Sequence, residues 1–124
     1  MLSILYVDDS QAQLDDMREA LASSLYTLST ATTLQEAKER MAQCNPELVI
    51  IDYHMPRLTG DECLRALRPL ALENTRFYLY TTDANAFRQH REMGFDGVLM
   101  LKGKKPVKAQ IDAVARYMTH YRIG

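Results

Sequence analysis

Leu48-Val49-Ile50-Ile51 runs without a polar break into Asp52, and Pro56 follows shortly after. Four consecutive apolar residues, mostly β-branched, suit a strand buried on both faces, as in the interior of a parallel sheet. Asp52 then stands at the C-terminal end of that strand, where ligands and chemistry collect in open α/β sheets. Pro56 cannot donate to a central ladder, so the chain turns there. One carboxylate after one strand is most simply a cap. It becomes a site only if other strands bring matching groups to the same edge.

The rest of the chain supplies such strands. Ser3-Ile4-Leu5-Tyr6-Val7 is a second buried run and ends in Asp8-Asp9-Ser10. Leu14, Met17, Leu21 and Leu25 then recur at spacings of three and four, which predicts an amphipathic helix over residues 11 to 25. Tyr26 to Ala31 alternates apolar and polar, as at a sheet edge. Thr33, three residues before Glu36, opens a helix to about Cys44 through a capping box, and Asn45-Pro46 closes it.

After the Asp52 strand, Leu58-Thr59-Gly60 leads into a helix carrying Cys63, Leu64 and Leu67 that stops near Pro69. Phe77-Tyr78-Leu79-Tyr80-Thr81 reads as a fourth strand. Residues 83 to 93 form a thinner helix with Ala86, His90 and Met93 on its apolar face, and Gly94 is its C-cap. Val98-Leu99-Met100-Leu101 is the fifth strand and hands over to Lys102. Pro106 starts a last helix with Val107, Ile111, Val114 and Met118 as its stripe. Strand and helix thus alternate five times, which argues for a parallel sheet with right-handed crossovers and helices on both faces.

At 124 residues the chain is read as one domain over residues 1–124, large enough to bury a core without metals or disulfides. A 47% hydrophobic and 25% charged composition is that of a globular protein. A net charge of −1 with no long run of one sign argues against a direct nucleic-acid partner or an acidic membrane. Cys44 and Cys63 make no metal pattern and read as unpaired thiols of a reducing compartment. The first apolar run is too short for a signal peptide or a membrane span, so a cytoplasmic location is expected.

In a parallel sheet all the strand ends named above share one edge. Asp8, Asp9 and Asp52 would meet there with Thr81-Thr82 and Lys102. Crowded carboxylates repel one another unless a cation intervenes. A hard divalent ion such as Mg²⁺ takes oxygen ligands and commonly adds a phosphate oxygen. A lysine supplies a point charge for a phosphoryl group, and a threonine hydroxyl can bond one of its oxygens. The chemistry that uses this set is phosphoryl transfer onto a carboxylate.

These motifs together resemble the response-regulator receiver domain of two-component signalling, over essentially the whole chain. The resemblance rests on Ile4-Leu5-Tyr6-Val7-Asp8-Asp9-Ser10, Leu48 to Pro56, Leu58-Thr59-Gly60, Tyr80-Thr81-Thr82, Met93-Gly94-Phe95-Asp96-Gly97 and Leu101-Lys102. It implies a flavodoxin-like three-layer α/β sandwich with a five-stranded parallel sheet, order 2-1-3-4-5, and five helices. It implies Asp52 as phosphoacceptor, with Asp8, Asp9, Asp52 and the backbone carbonyl of His54 holding Mg²⁺ or Mn²⁺. Thr81 would bond the phosphoryl group and Lys102 would pair with it.

The implied partners are a histidine kinase or phosphotransfer protein, and a downstream protein met through the fourth helix, fifth strand and fifth helix. Dimerisation stays open. Such a domain is not an enzyme beyond its own Mg²⁺-dependent phosphorylation and slow self-dephosphorylation. A phosphorylation-independent pseudo-receiver that only binds protein is the alternative.

The chain departs from the family pattern in three places. Thr81 and Thr82 both stand where one hydroxyl residue is usual; Thr81 directly ends the apolar run. Lys102 is followed by Gly103 rather than proline, and Lys105-Pro106 imitates the commoner motif; the segment from Gly97 to Lys102 is one residue longer than the family pattern, which allows a bulge. Val98 or Leu99 stands where the family carries a Tyr or Phe on the fifth strand. His54 and Asp83, each two residues beyond a site residue, flank the expected centre.

Overall fold

The computed structural model describes residues 2–22, 25–100 and 106–123. Its centre is a five-stranded parallel sheet in which the 2-1-3-4-5 order is realised by β2 (Tyr26–Ala31), β1 (Leu2–Val7), β3 (Leu48–Ile51), β6 (Arg76–Leu79) and β7 (Gly97–Val98). Two further short strands, β4 (His54–Met55) and β5 (Leu58–Thr59), form an antiparallel hairpin around Pro56. The proline turn expected after Asp52 is this hairpin.

Period-two alternation divides the strand residues between two cores. Leu5, Val7, Val49, Ile51, Phe77 and Leu79 face one side, against Ala37 and Met41 of α2 (Leu34–Cys44) and Cys63, Leu64 and Leu67 of α3 (Gly60–Leu67). Ile4, Tyr6, Leu48 and Ile50 face the other, against Leu14, Met17 and Leu21 of α1 (Gln11–Leu21) and Ile111 and Met118 of α6 (Val107–Ile123). All four residues of β3 are 0% exposed. At about 1.5–3 kcal/mol for each large apolar side chain removed from water, this strand is a main contributor to the fold. It also makes Asp52 a fixed point.

The edge strand β2 is mostly half-buried, as its alternation predicts. Thr33 caps α2, its Oγ1 accepting from the Glu36 N–H at 3.1 Å, and Asn45 ends the helix in the left-handed region at φ 44°. Gly94 occupies its C-cap at φ 102°, where a side chain would be strained. Cys44 and Cys63 are both unpaired; burial pushes the Cys63 thiol up to about 12, so it is inert packing.

Three expectations need correction. The first helix ends at Leu21, and Leu25 lies beyond it with 78% exposure, so it is not part of the stripe. The expected five helices are six α-helices among the described residues, plus a 3-10 turn at Arg68–Leu70 that contains Pro69. The extra one arises because the segment 83 to 93 is divided into α4 (Ala84–Arg88) and α5 (His90–Met93) at Gln89, whose ψ of 11° leaves the helical well. A ring nitrogen of His90, Nδ1, lies 2.9 Å from the Phe87 carbonyl and so competes for a backbone acceptor at the break. With Ala86 its one buried residue, α4 lacks the packing that would enforce a continuous helix. Third, the fourth strand stops at Leu79 rather than Thr81, although the Tyr80 N–H still bonds Ile51.

The fifth strand is described as Gly97–Val98, with the Leu99 N–H still bonded to Leu79; Leu101 and the expected bulge lie outside the described residues.

Two side-chain clamps use ionised carboxyls, one closing the turn that leads into α2 and one tying α6 to β2. Glu36 accepts from the Thr32 hydroxyl at 2.6 Å and the Thr32 N–H at 2.7 Å, which holds it below the usual carboxylate range. Asp112 of α6 accepts from the Tyr26 hydroxyl of β2 and from Lys108, and is depressed for the same reason. A folded-state value below the unfolded one contributes stability that is present above the unfolded value, near pH 4, and lost as pH falls through the folded one. Urea midpoints are therefore expected to fall between pH 5 and pH 3, and to fall less in a Glu36→Gln, Asp112→Asn double variant. Equal falls in both proteins would remove these clamps from the account.

Candidate acidic functional site

The ladder continues one step past the strands and brings three chain segments together. The Asp8 N–H bonds the Ala31 carbonyl, the Asp52 N–H bonds the Val7 carbonyl, and the Tyr80 N–H bonds the Ile51 carbonyl, each at 3.0 Å. Asp8, Asp52 and Tyr80 therefore leave adjacent strands at one level, and Thr81 follows one residue further on. Asp8 is 1% exposed, Asp52 8% and Thr81 1%, while Asp9 faces solvent. One carboxylate oxygen from each of Asp8, Asp9 and Asp52 lies within 4.8 Å of the others.

The surroundings hold these groups in place. Asp8 Oδ1 accepts from the Ser10 N–H at 3.0 Å, and Ser10 itself caps α1 through Gln13. Asp8 Oδ2 accepts from the Tyr6 hydroxyl at 2.5 Å. Burial, reinforced by the Asp8 charge, pushes the Tyr6 phenol far above its ordinary value, so it remains a donor. Nothing in the pattern of β1 separates Tyr6 from its apolar neighbours, and it reads from sequence as core. Its only signal is the i, i+2 spacing, which puts Tyr6 and Asp8 on the same face of the strand.

Of the two threonines, Thr81 is the buried one and Thr82 is exposed. Thr81 Oγ1 accepts from the Asp83 N–H at 3.1 Å. His54 and Asp83, read separately from sequence as flanking residues, meet: Nε2 and Oδ2 are 2.6 Å apart between the first residue of β4 and the N-cap of α4. The other oxygen of Asp83 caps α4 by accepting from the Asn85 and Ala86 N–H groups, and these backbone bonds, with His54, hold Asp83 below the usual range. Lys102 and its alternative Lys105 lie outside the described residues. Beside Asp9 opens a cleft of about 510 Å³ lined by Leu34, Met55, Arg57 and Leu58 among others.

Three oxygen-only acids converging from two strand ends suit a hard divalent cation such as Mg²⁺, which takes carboxylate and carbonyl oxygens and needs no imidazole or thiolate. Together with the 2-1-3-4-5 sheet, this describes a doubly wound domain with an acidic centre at the carboxyl edge of its strands.

A family profile for the response regulator receiver domain matches residues 4–111, and the chain belongs to that family, the receivers of two-component systems. The response regulator MprA of Mycobacterium ulcerans is 40% identical over 65 residues, which are 52% of this chain and 28% of that protein. An uncharacterized response regulatory protein of Vibrio cholerae is 29% identical over 112 residues, 89% of this chain and 45% of its own. The chain thus spans less than half the length of these curated relatives. Among solved structures, the chemotaxis protein CheY4 of Vibrio cholerae superposes with a TM-score of 0.78 at 25% identity, over 94% of this chain and 98% of that one. No helix among the described residues is long and apolar enough to cross a membrane.

Proposed function

We propose that this receiver accepts a phosphoryl group on Asp52 from a phosphohistidine of a histidine kinase or phosphotransfer protein, and signals through protein contacts. The observation that carries the reading is the convergence of Asp8, Asp9 and Asp52 within 4.8 Å beside the buried Thr81. In the transfer, an Asp52 carboxylate oxygen attacks phosphorus, the P–N bond of the donor breaks, and its electron pair leaves with the imidazole.

Asp8, Asp9, Asp52 and the His54 carbonyl would hold Mg²⁺ or Mn²⁺. When bound, the cation offsets the repulsion among the acids and the charge on the transferring oxygens. Thr81, its oxygen already oriented by the Asp83 N–H, would donate a hydrogen bond through its hydroxyl to a phosphoryl oxygen. Lys102 would pair with the same group, with Lys105 as the alternative. Burial of Asp52 and Thr81 keeps bulk water from the acyl phosphate. The broken α4–α5 segment, which starts three residues after Thr81, is the element best placed to move when Thr81 is drawn toward a phosphoryl group. It would carry the signal, with β7 and α6, to a downstream protein.

Incubation with Mg²⁺ and acetyl phosphate, followed by intact mass, tests the reading; a mass increase of one phosphoryl group supports it. A pseudo-receiver would show none.

The His54–Asp83 bridge bears on how long the phosphoryl group lasts. It ties together the two loops that flank Asp52 and Thr81, but His54 is 65% exposed, so its worth is that of a surface pair. His54→Ala is expected to shorten the lifetime of the phosphorylated state by roughly 2–5-fold. Decay followed by loss of the phosphoryl mass checks this, and an unchanged rate would refute a role for the bridge.

A further inference from the structure

Tyr6 and Asp8 share one face of β1, and the Tyr6 ring is packed between Ile50 and Thr30 on neighbouring strands in the register and tilted against the Tyr80 ring, with centroids 6.2 Å apart. It is 0% exposed. An apolar side chain would fill this layer without the cost of desolvating a hydroxyl, a cost that is recovered only through a good partner. That partner is the buried acid of the metal-ligating set, and the bond is short, at 2.5 Å.

We infer that Tyr6 is a positioning residue for the acidic centre: from inside the sheet its hydroxyl fixes the Asp8 carboxylate in the orientation that presents it to a divalent cation. Asp8 is thereby gripped at both oxygens, by Ser10 N–H on Oδ1 and by Tyr6 on Oδ2. Neither grip moves readily, because one belongs to the cap of α1 and the other to a ring locked in the core. Each carboxylate oxygen has two acceptor positions, so these two hydrogen bonds do not by themselves exhaust the carboxylate, which also lies within 4.8 Å of the Asp9 and Asp52 carboxylates. Hydrogen bonds to a metal-ligating carboxylate orient it, and their loss typically weakens metal binding by 10–100-fold. Tyr80, directly before Thr81 in the chain, restrains the ring, so the positioning of the acid and the strand end that carries the threonine share one packed contact.

The inference rests on the phosphoacceptor reading, and its test separates the two. Mn²⁺ binding to the unphosphorylated protein is measured by electron paramagnetic resonance for the wild type, Tyr6→Phe and Asp9→Asn. Tyr6→Phe keeps the ring and removes the donor, and its Mn²⁺ Kd is expected to rise by about 10-fold. The Mg²⁺ concentration giving half-maximal labelling by acetyl phosphate should rise in step, while the rate at saturating Mg²⁺ returns to the wild-type plateau. Tyr6→Val, which suits a central strand, provides a second variant and should behave likewise.

An unchanged Kd in a folded Tyr6→Phe protein, with only the melting temperature lowered, overturns the inference and leaves the phosphoacceptor reading standing. A wild type that binds no Mn²⁺, or binds it equally well as Asp9→Asn, overturns both.

Discussion

Asp52→Asn is expected to abolish phosphoryl uptake. Asparagine has nearly the shape of aspartate, so the buried position after β3 stays filled and the N–H bond to Val7 is kept. What is lost is the proposed nucleophile, since an amide oxygen does not attack phosphorus at a useful rate. One charge of the three-acid cluster goes with it, which also weakens the hold on a cation. The measurement is intact mass after incubation with Mg²⁺ and acetyl phosphate. Asp15→Asn, at an exposed carboxyl on α1, should label like the wild type.

Chelation of Mg²⁺ should slow wild-type labelling by about 100-fold or more, because the ion is asked for several kcal/mol of charge stabilisation. Labelling of Asp52→Asn at the wild-type extent would remove Asp52 from the role and leave the centre without its acceptor.

The second large effect concerns Gly60, the first residue of α3. A Cβ there would stand 2.8 Å from the Asp52 carbonyl oxygen and 2.9 Å from the Tyr53 Cα. Both are backbone atoms and cannot step aside as a flexible side chain would. The Gly60 N–H also donates to the Tyr53 carbonyl at 2.8 Å, so the helix start and the loop after Asp52 are bound face to face.

Gly60→Ala is therefore expected to cost about 1–3 kcal/mol of stability, read as a lower urea midpoint. It should also slow Asp52 labelling by up to about 100-fold, because a displacement near 1 Å at a reacting group costs that much. Gly97→Ala makes a useful contrast. Its Cβ would meet the Tyr78 ring at 2.6 Å, a side chain that can rotate away, and labelling should survive. A Gly60→Ala protein with wild-type stability and labelling rate would show that the contact relaxes at no cost.

The Gly60 case also shows why part of this protein was legible in its sequence and part was not. By helix propensity alone, alanine is the better residue for a helical position. The penalty comes from the segment after Asp52, which packs directly against the start of the helix. The same distinction runs through the centre. Asp8, Asp9, Asp52 and Thr81 could be placed on one edge because buried-strand runs and helix stripes are local periodicities, and parallel alternation then collects every strand end together.

The hydroxyl of Tyr6 was invisible within an apolar run because a strand pattern says which face a residue takes, not what its tip touches. His54 and Asp83 could be named as neighbours of the centre, but their pairing joins residues 29 apart in the chain and depends on loop paths. The division of the fourth helix at Gln89 follows from thin packing under α4, which a short apolar stripe only suggests.

Sequence by itself thus determined the parallel sheet with helices on both faces and the edge where the three acids gather. Each of these follows from patterns with a period of two or of about three and a half residues. Only the tertiary structure decided how the Asp8 carboxylate is held from beneath by Tyr6, which threonine is buried, and why residue 60 is glycine. Those depend on distances of a few ångströms between segments far apart in the chain, and packing sets such distances where periodicity does not.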